Sequence, residues 1–195
     1  MIRDNLPNQL TLARMAVIPV ILALILISTH WAAWVALVLF VAAAVTDWLD
    51  GYLARKRAQV SSFGRVMDVI ADKLLVAAVI LVLVNTRAIA GLTILPAIVI
   101  LLREVAVSGL REFLAEVKIS VPVSKLAKWK TASQFLALSF LIIGNYGPEA
   151  IQSLLIGTIC LWVAGALTII TGWDYLRANL DHLAEEDNPP SPPTY

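Results

Sequence analysis

Six long apolar stretches constrain this chain more than any other feature of its sequence. They lie at residues 15–29, 32–54, 65–84, 93–115, 127–143 and 150–175. A run of roughly 20 apolar residues is what a helix needs to cross a bilayer, and backbone groups in lipid must be satisfied within the segment. Hydrophobic residues make up 59% of the 195 positions, more than a soluble core of this size can bury. We therefore predict an all-α, polytopic membrane protein with six transmembrane helices.

The two ends of the chain predict smaller features. The segment Asn5-Leu6-Pro7-Asn8 is typical of a helix start, and apolar residues follow it at helical spacing. It predicts a short N-terminal interfacial helix that leads into the first span. Residues 187–195 are rich in proline and predict a disordered tail. Residues 1–186 then form a single membrane domain.

Basic residues are distributed unevenly between the two sides that the six spans define. Of the 15 Lys and Arg residues, only Arg87 falls on the side that holds the loops near Thr29, Asn85 and Gly147. Loops on the cytoplasmic side of a membrane carry the excess of Lys and Arg. We therefore predict that both termini lie in the cytoplasm.

Four aspartates fall within the predicted spans, close to their cytoplasmic ends. Asp47 and Asp50 belong to the second span, and Asp68 and Asp72 to the third. A charge inside a span costs roughly 2.5 to 3.5 kcal/mol on insertion scales, so an intramembrane carboxylate indicates function. Residues three or four apart share a helix face, and two spans joined by a short loop are antiparallel neighbours. The four carboxylates should therefore meet in one pocket, where their repulsion requires cations; oxygen ligands favour Mg²⁺ or Mn²⁺.

Small residues and one arginine accompany the aspartates. Gly51, Ala54 and Gly64 lie on the same helix faces, where small side chains let a backbone or a bulky ligand approach closely. Small residues also pack membrane helices together, so alone they would indicate structure only. Arg55 follows Asp50 by just over one turn and either holds a phosphate or anchors the helix end. Together with a metal, these residues indicate a diphosphate site.

A second polar group lies on the fourth and fifth spans. Glu104, Ser108 and Arg111 share one helix face of the fourth span. The group also includes Arg103 and Glu112 of that span and, at the start of the fifth span, Lys125, Lys128 and Lys130. Two interpretations stay open: snorkelling charges with an intramembrane salt bridge, or a pocket for an anionic acceptor. A neutral acceptor would not need so many cations beside a metal site.

The aspartate pattern resembles the signature of the CDP-alcohol phosphotransferase family at every fixed position. That pattern reads Asp47-x-x-Asp50-Gly51-x-x-Ala54-Arg55, eight residues, Gly64-x-x-x-Asp68-x-x-x-Asp72. Three flanking elements resemble the bacterial branch of the family that makes phosphatidylglycerophosphate. They are Asn5-x-Pro7-Asn8-x-x-Thr11-x-x-Arg14, then Arg103-Glu104 followed by Leu110-Arg111-Glu112, and Lys128-x-Lys130-Thr131.

The resemblance implies an enzyme that transfers the phosphatidyl group of CDP-diacylglycerol to sn-glycerol 3-phosphate and releases CMP. It implies two Mg²⁺ (or Mn²⁺) ions, with Asp72 serving both as a ligand and as the general base. The implied metal ligands are Asp47, Asp50, Asp68 and Asp72. The implied CDP-diacylglycerol site comprises Thr11, Arg14, Asp47, Gly51, Ala54, Arg55 and Gly64. The implied acceptor site comprises Arg103, Arg111 and Lys130.

The resemblance also implies a homodimer of six-helix protomers in a bacterial inner membrane, with the active site on the cytoplasmic side. Membrane lipids are expected partners and nucleic acid is not. The two histidines are badly placed for a nucleophile-histidine pair, since His30 is on the far side and His182 is near the tail. A direct displacement without a covalent enzyme intermediate is therefore favoured.

Alternatives differ in the acceptor or in the class of protein. Within the family, inositol phosphate, serine or phosphatidylglycerol would take the place of glycerol 3-phosphate. A membrane prenyltransferase would show two Asp-rich motifs in distant spans, whereas this chain has one contiguous pair. A divalent-cation transporter would need polar residues along a path to the outer face, but the outer halves of the spans are almost purely apolar.

Overall fold

The computed structural model describes the backbone of residues 6–57, 62–116 and 125–187, and every long element in these ranges is a helix. The helices are α1 (Leu6–Ile27), α2 (His30–Arg57), α3 (Ser62–Asn85), α4 (Ile94–Glu116), α5 (Lys125–Ile143) and α6 (Ser153–Asp187). Short 3₁₀ helices lie at Gly91–Thr93, Gly144–Tyr146 and Glu149–Ile151. Each predicted apolar stretch overlaps one helix, although α1 begins nine residues before the first stretch and α6 extends twelve residues beyond the last one. The overlap confirms the all-α prediction.

The N-terminal interfacial helix does not form as a separate element in the described part of the chain. Helix α1 runs without a break from Leu6 to Ile27. Pro7 lies in its first turn, where a helix needs no backbone N–H donor, so nothing ends the helix before the first span. Pro19, inside α1, is also accommodated. At the other terminus α6 includes Asp187, one residue beyond the predicted domain boundary, and residues 188–195 lie outside the described residues.

The helices pack through an apolar core with small residues at the closest approaches. Phe40, Leu83 and Leu138 are completely or almost completely buried in that core. Helices α5 and α6 share the most extensive contact. A Cβ added at Gly157 of α6 would lie 2.8 Å from Leu141 Cγ of α5, so only glycine permits this approach. Close packing of this kind holds helices together in lipid, where apolar burial alone gives no driving force.

Three connections lie at one end of the bundle: residues 28–29, 86–93 and 144–152. The hydroxyl of Tyr146 donates a hydrogen bond to the backbone carbonyl of Ser28 and so joins the first connection to the last. The 3₁₀ helix Gly91–Thr93 contacts α6. We call the helical residues next to these connections the loop half and the opposite part of the bundle the cavity half.

The outer surface of the bundle is strongly apolar. Val38, Leu81, Leu102 and Val105 are all more than 60% exposed, and soluble monomers rarely present large continuous patches of this kind. Among the described residues, the segments Gly91–Leu114 and Glu149–Arg177 are long and apolar enough to cross a membrane. Only 22% and 33% of their apolar windows are buried, unlike the core helix of a soluble protein. These are the features of a membrane protein.

Candidate active site

A cavity of about 910 Å³ opens between α2, α3, α4 and α5 in the cavity half. Its polar lining comprises Asp72, Lys73, Arg103, Glu104, Ser108, Arg111, Lys128, Lys130, Thr131 and Ser139. Among the described lining residues, five side chains are cationic and two are anionic, so this part of the cavity attracts anions. The charged side chains of the described helices are therefore concentrated in the cavity half and not in the loop half.

The other described residues that line the cavity are apolar. They are Phe40, Val41, Ala44, Val45, Val107, Ala132, Phe135 and Leu136. The rings of Phe40 and Phe135 lie 5.5 Å apart and link α2 to α5 along this wall. Val41, Val45 and Leu136 are also 43 to 50% exposed. This part of the apolar wall is therefore open to the surroundings of the bundle.

The predicted face of α4 points into the cavity. Glu104, Ser108 and Arg111 all line it, as their i, i+4, i+7 spacing indicates. Ser108 Oγ donates to the carbonyl oxygen of Glu104 at 2.6 Å, which satisfies the hydroxyl within the helix. The sequence pattern thus placed this face correctly.

Glu104 is the centre of an ion-pair cluster. Lys73 Nζ of α3 lies 3.0 Å from Glu104 Oε2, and Arg103 Nη1 lies 3.4 Å from Glu104 Oε1. Lys130 Nζ of α5 donates to the same Oε1 atom. The salt-bridge interpretation of this polar group is therefore confirmed for Arg103 and Lys130. Because both side chains still line the cavity, the pairing leaves a role in anion binding open.

Helix α6 fixes the direction of the Arg103 side chain. A Cβ added at Gly172 would lie 3.1 Å from Arg103 Cγ, so the arginine stem runs across this glycine. Arg103 Nη2 lies 3.5 Å from the hydroxyl oxygen of Thr171, at the outer limit of a hydrogen bond. The Arg103 guanidinium thus reaches the cavity alongside α6, next to Thr171 and Gly172.

Arg111 and Lys128 are the exposed cations of the cavity. Among the described residues, no hydrogen bond or ion pair joins Arg111 to another side chain. Its five N–H donors are therefore available to a ligand. In this respect Arg111 differs from Arg103 and Lys130.

Of the four predicted metal ligands, the structure describes the side chain of Asp72. This half-buried residue lines the cavity together with the cationic cluster. The helices that carry the other three are placed, but the side chains of Asp47, Asp50 and Asp68 lie outside the described residues. Within the described part of the chain, no three His, Cys, Asp or Glu side chains lie close enough together to hold a metal ion. The four-aspartate metal site therefore stays a prediction.

The predicted CDP-diacylglycerol residues fall largely outside what the structure describes. The exception is Arg14, which is 4% exposed in α1 and is not among the residues that line the cavity. The side chains of the others lie outside the described residues: Thr11, Asp47, Gly51, Ala54, Arg55 and Gly64.

Lys73 is the cavity residue that the sequence patterns missed. It directly follows Asp72 but is not part of the motif, which is defined by the spacing of the carboxylates. A signal was present, since an ionised lysine within an apolar span carries the same insertion cost as an aspartate. That cost indicated a partner, which the structure identifies as Glu104.

The described residues form a helical bundle with an apolar outer surface and a cationic cavity that holds a carboxylate, which places the chain in the class of helical membrane proteins. Comparison with known proteins narrows this class. The model of the family described as CDP-alcohol phosphatidyltransferase matches residues 4–170. The chain belongs to this family.

Individual relatives are similar over almost their full length. The CDP-diacylglycerol–glycerol-3-phosphate 3-phosphatidyltransferase of Rickettsia bellii is 51% identical, over 91% of this chain and 96% of the relative. The proteins of the same name from Pseudomonas fluorescens and Bacillus subtilis are 41% and 39% identical, each over 92% of this chain and at least 92% of the relative.

Proposed function

We propose that this protein transfers the phosphatidyl group of CDP-diacylglycerol to sn-glycerol 3-phosphate, giving phosphatidylglycerophosphate and CMP. The observation that carries the proposal is the cavity, where Asp72 lies among five cationic side chains. The full-length similarity to enzymes named for this reaction supports it.

The proposed reaction is a direct displacement. The acceptor hydroxyl oxygen attacks the lipid-bearing phosphorus of the diphosphate, its proton passes to the Asp72 carboxylate, and CMP leaves with the electrons of the broken P–O bond. A positioned carboxylate serves as the proton acceptor. Asp72 suits this role because it is half-buried and faces the cavity.

A metal site fits the donors that the sequence provides. Asp47, Asp50, Asp68 and Asp72 offer only carboxylate oxygens, which suit Mg²⁺ or Mn²⁺. Bound there, two such ions would neutralise the diphosphate and the charge that develops on phosphorus. Asp72 would then share the ligand and base roles, in keeping with its position on α3.

The cationic part of the lining suits the phosphate of the acceptor. Arg111 presents a planar fork that matches two phosphate oxygens, and Arg103 and Lys130 line the same cavity. This arrangement favours a phosphate-bearing acceptor over serine, which has no net charge. Inositol phosphate carries the same group as glycerol 3-phosphate, so it remains the strongest alternative acceptor.

The proposal includes six membrane spans, one for each long helix, with both termini and the active site on the cytoplasmic side of a bacterial inner membrane. The apolar outer surface and the uneven distribution of Lys and Arg support this topology. It also includes a homodimer, which rests on the family resemblance. The family match favours a phosphatidyl transferase over a prenyltransferase or a cation transporter.

The decisive experiment is an assay of the purified protein with CDP-diacylglycerol, Mg²⁺ and labelled glycerol 3-phosphate, followed by identification of the lipid product by mass spectrometry. Parallel reactions contain inositol phosphate, serine or phosphatidylglycerol in place of glycerol 3-phosphate. We expect label in phosphatidylglycerophosphate, with equimolar CMP. Preferential transfer to another acceptor would overturn the assignment but keep the reaction class.

The metal requirement is tested on the same preparation. Because the diphosphate and four carboxylates would repel one another without cations, we expect EDTA to reduce turnover to background. Excess Mg²⁺ or Mn²⁺ should restore it. Full activity in the presence of the chelator would contradict the metal-dependent mechanism.

A further inference from the structure

We infer that Glu104 is a positioning residue for the acceptor: its carboxylate gathers the charged ends of Lys73, Arg103 and Lys130 on one wall of the cavity and aims them at the acceptor's phosphate. The inference rests on the proposed function and names a residue that does not itself touch the reacting atoms. Its basis is the geometry of the ion-pair cluster.

The cluster joins three helices at one carboxylate. Lys73 comes from α3, Arg103 and Glu104 from α4, and Lys130 from α5. Each oxygen of the carboxylate is used, Oε2 by Lys73 and Oε1 by the other two. Glu104 therefore determines where all three cationic groups lie.

Burial keeps Lys130 and Arg103 from relieving their repulsion by turning towards water. Their side chains are 5% and 16% exposed, that of Glu104 is 17% exposed, and that of Lys73 is 31% exposed. Three positive charges held this close repel one another strongly at low dielectric. A single counter-ion at their centre offsets much of that repulsion, and in the described part of the lining Asp72 is the one other acid.

The cluster leaves donors for a ligand. A lysine ammonium has three N–H donors and an arginine guanidinium has five. The contacts with Glu104 and Thr171 use one donor of Lys73, one of Lys130 and two of Arg103. The remaining donors belong to groups that line the cavity, so a phosphate can bind without displacing Glu104.

An opposite role for Glu104 makes a distinct prediction. If its negative charge mainly competed with the phosphate, Glu104→Gln would lower the KM for glycerol 3-phosphate. If Glu104 positions the cations, the same substitution would raise that KM, because the three charges would separate. The sign of the change therefore decides between the two roles.

The test measures steady-state kinetics of Glu104→Gln, with each substrate varied in turn. Loss of a residue that orients a metal ligand lowers metal affinity or activity roughly 10- to 100-fold. By analogy, we expect the KM for glycerol 3-phosphate to rise by about that factor. The KM for CDP-diacylglycerol should stay within about twofold. Glu149→Gln is the matched control, since Glu149 is exposed in the loop half and the variant makes the same charge change.

Glu104→Asp keeps the inference testable if the neutral variant fails to fold. The shorter side chain retains the charge but withdraws the carboxylate by one methylene, so a smaller increase in the same KM is expected. An unchanged or lowered acceptor KM in both variants would overturn the inference, as would equal changes in both substrates' KM values. If the wild type makes no phosphatidylglycerophosphate, the proposed function fails instead, and the two failures are distinguishable.

Discussion

The loop half and the cavity half of the bundle are built from the same helices but with different side chains. In the loop half, the helical segments 17–27, 30–40, 76–85, 94–102, 137–143 and 153–165 contain no Asp, Glu, Lys or Arg. Among the described residues, seven charged side chains of the cavity half line one cavity. Because the loop half packs without such charges, tight apolar packing suffices to hold its helical segments together. Buried charges are weak contributors to stability, so their concentration in one half indicates function.

Asp72→Asn should have the largest effect of the substitutions considered, and it should change turnover rather than stability. Loss of a general base typically lowers the rate by about 10²- to 10⁴-fold. We expect turnover to fall by that factor, while CDP-diacylglycerol binding and thermal stability change little. Equal losses of Mg²⁺ affinity and turnover would instead assign Asp72 a ligating role alone.

Arg111→Ala tests the exposed side of the cavity. A charge-assisted hydrogen bond contributes roughly 1.5 to 3 kcal/mol, so kcat/KM for glycerol 3-phosphate should fall about 10- to 150-fold, chiefly through KM. Arg111→Lys should recover part of the loss, because an ammonium lacks the planar fork. Arg177→Ala, at an exposed position of α6 outside the cavity lining, is the control. Impaired folding with unaltered kinetics would make Arg111 a structural residue.

Gly172→Ala tests how the cavity half depends on α6. The new Cβ would lie 3.1 Å from Arg103 Cγ, so the arginine stem must shift by a few tenths of an ångström. A misplacement of about 1 Å costs roughly 10²-fold, and a shift this small should raise the acceptor KM about threefold. An unchanged KM would show that Arg103 adjusts without loss.

Gly157→Ala is the counterpart in the loop half. Its Cβ would lie 2.8 Å from Leu141 Cγ and 3.1 Å from the backbone nitrogen of Leu141, so α5 and α6 must separate slightly. Overpacking of this kind costs about 1 to 3 kcal/mol. We expect a lower melting temperature in detergent and unaltered kinetics at low temperature. An acceptor KM that rises as in Gly172→Ala would show that the two halves are coupled.

The sequence predicted the helices far better than the contacts between them. Long apolar stretches determine helices locally, and the spacing of Glu104, Ser108 and Arg111 determines a helix face. The support of Arg103 by Thr171 and Gly172 depends on how α4 meets α6, 68 positions apart for the hydrogen bond. No local spacing encodes such a contact. The continuity of α1 is a different case: the helix-start segment Asn5-Leu6-Pro7-Asn8 predicts a separate interfacial helix, whereas one helix runs from Leu6 to Ile27.

The apolar wall of the cavity has a kinetic consequence. Val41, Val45 and Leu136 line the cavity and are 43 to 50% exposed, so the apolar part of the lining is open to the surroundings of the bundle. In the proposed reaction, CDP-diacylglycerol then arrives by two-dimensional diffusion in the membrane, and glycerol 3-phosphate arrives from bulk water. The rate will follow the mole fraction of CDP-diacylglycerol in the membrane or micelle, and diluting that surface with inert detergent will slow the enzyme at constant bulk concentration.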